Sequence, residues 1–65
     1  MYILQNGLTK YFREIDLNQK VILVDNACRS MLFVEEIQAI KFKKVLENSY
    51  QYKFVIIEIW KTLSF

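Results

Sequence analysis

Few side chains in this sequence are reactive or ionic in a way that could build a site. They are the acidic pair Glu35-Glu36, the thiol of Cys28 beside Arg29, and three cation-bearing runs: KYFR over residues 10–13, KFKK over 41–44 and YQYK over 50–53. Paired carboxylates catalyse when they converge on one reacting atom. Glu35 and Glu36 are consecutive in a helix-forming run, so they diverge by about 100° and read instead as solvated charges that complement a helix N-terminus. A cysteine becomes a nucleophile when a base or cation draws off its proton. Arg29 is one such cation, but the chain has no histidine, and Cys28 reads as a small, semi-buried filler. Without histidine the chain lacks both the side chain best matched to proton transfer near neutrality and the commonest metal ligand. Gly7 is the single glycine, whereas a phosphate-cradling loop needs several ahead of a helix. These residues point to no catalytic site, no metal and no cofactor.

The cationic runs suggest different chemistry. Aromatics set between cations can stack bases while the charges hold phosphates, so Lys10, Arg13, Lys41, Lys43 and Lys44 are candidate nucleic-acid contacts. Against this, nine Lys/Arg oppose seven Asp/Glu for a net charge of +2, and the charges are scattered along the chain. No strong field of one sign results.

The elements that must position these residues begin with a hairpin of residues 2–5 and 8–12 around Asn6-Gly7, a dipeptide suited to a type I′ turn. Residues 13–19 are polar and read as a turn or irregular connection. The run KVILV is then a third, fairly buried strand ended by Asp25-Asn26. The segment CRSMLF is either a brief fourth strand or an extended approach to a helix over 34–48, whose acids lie early and lysines late, as the dipole favours. A last strand covers 53–60. The architecture expected is α+β: a small antiparallel sheet with one helix packed on one face, β-β-β-(β)-α-β, in a single domain over 1–65. Core candidates are Ile3, Val21, Leu23, Phe33, Ala39, Phe42, Leu46, Val55, Ile57 and Ile59.

KFVIIEIW has an apolar residue on both faces of the strand: Val55, Ile57 and Ile59 on one, Phe54, Ile56 and Trp60 on the other. The helix repeats this, with Ile37 and Ile40 nearly opposite Ala39, Phe42 and Leu46. Because 54% of the residues are apolar in a chain of only 65, a small core cannot absorb them all. The expectation is that Ile37, Ile40, Phe54, Ile56 and Trp60 form an interface with another protein or a second copy, giving a homo-oligomer. One cysteine offers no internal disulfide, the N-terminus lacks a signal-peptide pattern, and no apolar run reaches bilayer length. The chain reads as soluble and cytoplasmic, with no membrane partner.

The order YILQNG, YF, KVILVD, then Leu32-Phe33, Glu35-Glu36, Ala39, Leu46 and Ile57-Glu58-Ile59 resembles a group of small phage and prophage proteins of Gram-positive bacteria. In them a hairpin precedes an apolar residue and Phe, a helix opening with acids, and a last strand with an acid between aliphatics. The resemblance covers residues 2–59. At Val34 this chain departs from it, since the group has Ser, Thr or Asp there as a helix N-cap. Several such proteins inhibit host defence systems, anti-CRISPR proteins among them, by binding a host protein. The resemblance therefore implies a non-enzymatic inhibitor of a host protein, a CRISPR effector or other defence nuclease complex. The alternative is a small nucleic-acid-binding or regulatory module, and third comes a structural homodimer.

Overall fold

Around Asn6-Gly7 the chain turns more loosely than a type I′ hairpin. In the computed structural model, which describes residues 1–59, β1 spans Tyr2–Asn6 and β2 Lys10–Ile15, joined by residues 7–9. Gly7 takes the left-handed conformation at φ +68°, while Asn6 remains in the strand, paired with Lys10. A type I′ turn would need positive φ at Asn6 as well. The Asn6 side chain instead donates from Nδ2 to the Lys53 carbonyl at 2.8 Å, on the approach to the last strand.

β2 runs on through Arg13 to Ile15, residues expected to lie in the connection. A β-bulge makes this possible: the register with β3 (Val21–Val24) shifts between Phe12 and Glu14. The extra residue reverses the alternation, so Phe12 and Ile15 both face the helix, although an odd step in a regular strand would send them to opposite faces. The turn into β3 is held by Asp16, whose Oδ1 accepts from the Asn18 and Lys20 amides at 2.9 and 2.8 Å. A short 3-10 turn, Ala27–Arg29, follows β3, with the Asn26 side chain accepting from the Cys28 amide.

The ambiguous CRSMLF segment is neither a full strand nor a mere approach to the helix. Tyr2 and Phe33 exchange backbone hydrogen bonds of 2.8 and 2.9 Å, and the Met31 amide donates to the Phe12 carbonyl at 2.9 Å. Residues 31–33 are thus bonded to β1 on one side and to β2 on the other. They fill the gap where these strands separate beyond their short ladder of Gln5–Tyr11 and Asn6–Lys10.

The helix, α1, spans Glu36–Ser49, two residues later at its start than expected. Glu35 is the N-cap with extended backbone and makes no side-chain capping bond, so the departure noted at Val34 coincides with a helix that starts late and uncapped. At the other end the Tyr50 and Tyr52 amides both donate to the Leu46 carbonyl, and Gln51 sits at φ +60°. This is the left-handed C-terminal termination usually given to glycine.

The last strand, β4, spans Val55–Glu58 and pairs antiparallel with β1, completing a four-stranded sheet of order β3-β2-β1-β4 with α1 on one face. The fold is α+β. Leu4, Phe12, Phe33, Ala39, Leu46 and Phe54 form the buried cluster between helix and sheet. Phe42 closes it, its ring centroid 5.5 Å from Phe12 and 5.4 Å from Phe33, and each such side chain contributes about 1.5–3 kcal/mol by leaving water. Phe33, Ala39, Phe42, Leu46, Val21 and Leu23 lie in or against this core as expected. The faces of β4 are the reverse of those assigned: Phe54 and Ile56 face the helix, while Val55 is 61% exposed. The paired residues Ile3 and Ile57 lie on the far face, where Ile3 is buried apart from the helix-side cluster.

Candidate functional site

The strand register places one row of side chains across all four strands on the face away from α1. Val55 pairs with Gln5, Gln5 with Tyr11 and Tyr11 with Val24; residues directly opposite in an antiparallel ladder share a face. Ile57 beside Ile3, and Ile22 opposite Glu14, extend that face. It is mostly aliphatic and aromatic, and its members are half-buried or exposed apart from Ile3. The reason is local: β3 and β4 are apolar at every position but one, Glu58, which is on the helix side opposite Tyr2. A single helix covers one face only.

The residues expected to form an interface separate in the structure. Ile37 is 53% exposed on the outer side of α1, and Ile40 is half-buried on its flank. Phe54 is buried at 3% exposure and Ile56 packs against the same cluster, so both are used inside the fold. Trp60 lies outside the described residues. Tyr11, Ile22, Val24 and Val55, absent from that expectation, lie together on the sheet face away from α1. For Ile22 and Val24 the signal was the unbroken run VILV, which carries apolar side chains to both faces of a strand wherever it sits in the sheet.

The cations do not converge either. Lys43 is drawn into an ion pair with Glu47, Nζ to Oε2 at 2.9 Å. Lys41 and Lys44 are exposed on the outer side of the helix, near Ile37 in its turns. Lys10 opens β2, and Arg13 at the bulge donates to the Arg29 carbonyl. A phosphate-tracking groove would need these charges on one surface.

Among the described residues no three His, Cys, Asp or Glu side chains lie close enough to hold a metal, and Cys28 is exposed. The Glu47 carboxyl is held below its usual range, first by the hydrogen bond from Lys43 and then by the Phe54 amide and nearby lysine charges. The Tyr2 phenol is pushed up by burial and by Glu58 and Glu36. An open cleft of ≈ 350 Å³ lies between residues 31–33 and α1, with Lys41 at its side. Among the described residues no helix is long and apolar enough to cross a membrane. Comparison with family models, curated proteins and solved structures finds no match to this chain.

Proposed function

We propose that this chain is a non-catalytic interaction protein that docks on a host protein in the bacterial cytoplasm through the sheet face opposite α1. The observation that supports this reading is the row Val55, Gln5, Tyr11, Val24 with its neighbours Ile22 and Ile57 on the sheet face away from α1, where Val55 is exposed and the others are half-buried. Contiguous apolar surface on a small protein marks a place where another molecule excludes water. An aromatic such as Tyr11 near the centre of such a face is the residue type on which binding energy concentrates. The target class follows from the resemblance of the chain to small phage proteins: a defence nuclease complex, inhibited by occupation of its surface. The dispersal of Lys10, Arg13, Lys41 and Lys44, and the pairing of Lys43, disfavour nucleic acid as the partner.

The experiment is affinity capture from host lysate with nuclease treatment, comparing the wild-type chain with a folded Tyr11→Glu/Val55→Glu variant. The expected result is one specific host protein, kept after nuclease treatment and lost with the variant. Capture of nucleic acid alone, or of a host protein that the variant retains equally, overturns the reading.

A further inference from the structure

We propose that β3 is a homodimerisation edge, at which two copies of the chain pair Val21–Val24 antiparallel about a two-fold axis at Ile22 and join their sheets into one. β3 is the terminal strand of the order β3-β2-β1-β4. Among the described residues, no backbone hydrogen bond beyond its ladder with β2 reaches residues 21–24. The Asp16 amide donates to the Lys20 carbonyl at 2.9 Å, so Lys20 turns its backbone toward β2. Lateral direction alternates along a strand, which turns Ile22 inward and leaves the N–H and C=O groups of Val21 and Leu23 pointing outward.

Edge strands are ordinarily protected by proline, an inward charge, a bulge or a covering element. β3 has no proline or charge within it, and the bulge falls on β2 at Arg13. Among the described residues strand shortness is the remaining protection, and at four residues it limits the strength of the contact without removing it.

The chemistry of the edge matches itself. VILV reversed is VLIV, so antiparallel pairing sets branched aliphatics against each other. With the axis at Ile22, Val21 stands opposite the partner's Leu23 and exchanges a reciprocal pair of backbone hydrogen bonds with it. Ile22 stands opposite its own copy, and Val24 opposite the aliphatic stem of the partner's Lys20. Moving the axis to Leu23 would press Asp25 against Val21. The flanking charges choose the direction: antiparallel pairing brings the Lys20 end of one strand alongside the Asp25 end of the other, whereas parallel pairing would align like charges. Such an interface is isologous, and a two-fold axis normal to the sheet keeps both helices on one side. On the far face the two Glu14–Ile22 rows then meet at the axis, and each Tyr11–Val24 row continues onto the aliphatic stem of the partner's Lys20.

The test uses purified full-length chain without any target. Ile22 points away from the helix and faces itself across the axis, so Ile22→Lys and Ile22→Glu each place two like charges directly opposite. Sedimentation equilibrium should show a monomer–dimer equilibrium for wild type, monomer for each variant alone, and restored dimer for an equimolar mixture of the two. Circular dichroism checks that both variants are folded. In wild type, amide exchange at Val21 and Leu23 should slow as concentration rises, with Ile22 unchanged because β2 already protects it. A wild-type chain that stays monomeric at NMR concentration, a dimer indifferent to Ile22→Lys, a mixture that stays monomeric, or exchange at Val21 and Leu23 independent of concentration overturns the proposal.

Discussion

Leu4 on β1 and Ile56 on β4 stand directly opposite each other in the antiparallel ladder, both on the side of the sheet that carries the helix. This register decides which half of the two-faced last strand enters the core. Leu4 is fully buried, so its partner and Phe54, two residues earlier on the same face, are drawn beneath α1 while Val55 and Ile57 are turned outward.

Adjacent residues should therefore respond very differently to substitution. Phe54→Ala empties a site buried at 3% exposure, with the Phe12 ring 6.0 Å away, and should cost about 3–5 kcal/mol. Val55→Thr, at 61% exposure, should change stability by less than about 0.5 kcal/mol. Urea unfolding of the two variants is the measurement; equal losses would mean the strand faces are not as described.

The uncapped helix start predicts a stabilising substitution. Glu35 already has the extended backbone of an N-cap, φ −114° and ψ 142°, but makes no capping hydrogen bond. Glu35→Asp keeps the negative charge at the positive end of the dipole and supplies a side chain short enough to reach the first helical amides. A gain of about 0.5–2 kcal/mol is expected, read as a rise in the thermal midpoint.

Gln51 offers a second gain, from backbone strain. Its φ of +60° is a conformation that penalises an L-residue by about 1–2 kcal/mol, while glycine adds about 0.5–1 kcal/mol of unfolded-state entropy. The first effect is the larger, so Gln51→Gly should stabilise the chain by a few tenths to about 1 kcal/mol in denaturant titration.

Glu47 predicts a pH dependence. Its hydrogen bond from Lys43, the Phe54 amide and nearby lysine charges depress the folded-state pKa below the unfolded value. The unfolded chain thus binds protons more readily. The stabilisation is fully present above the ordinary glutamate range, about pH 4–5, and disappears as pH falls through the lower folded value. In unfolding experiments Glu47→Gln should be less stable than wild type at neutral pH, and the difference should shrink on acidification. A difference that is flat with pH would exclude the charged contact as its source.

Much of the fold was legible from local pattern, since each legible feature has a local cause. The helix follows from a breaker-free run of good formers with acids leading and lysines trailing. The turns at Asp16 and Asn26 follow from side chains that bond amides two or four residues ahead. Where the sequence misled, a distant partner had intervened. Asn6 gave up a type I′ turn while its amide bonds Lys53, and β2 was prolonged by a bulge that no propensity marks.

By itself, then, the sequence determined that this is a small α+β protein with more apolar side chains than one core can hold, no histidine and no concentration of charge. Those properties depend on residue type and near neighbours alone. Where the excess goes is set by packing across the sheet: Phe54 and Ile56 inward, Val55 and Ile57 outward, residues 31–33 between β1 and β2, and VILV at the sheet edge. The physical reason is that a strand with apolar residues on both faces satisfies either orientation equally. The choice then belongs to the register with its neighbour, which joins residues more than fifty positions apart, such as Leu4 and Ile56.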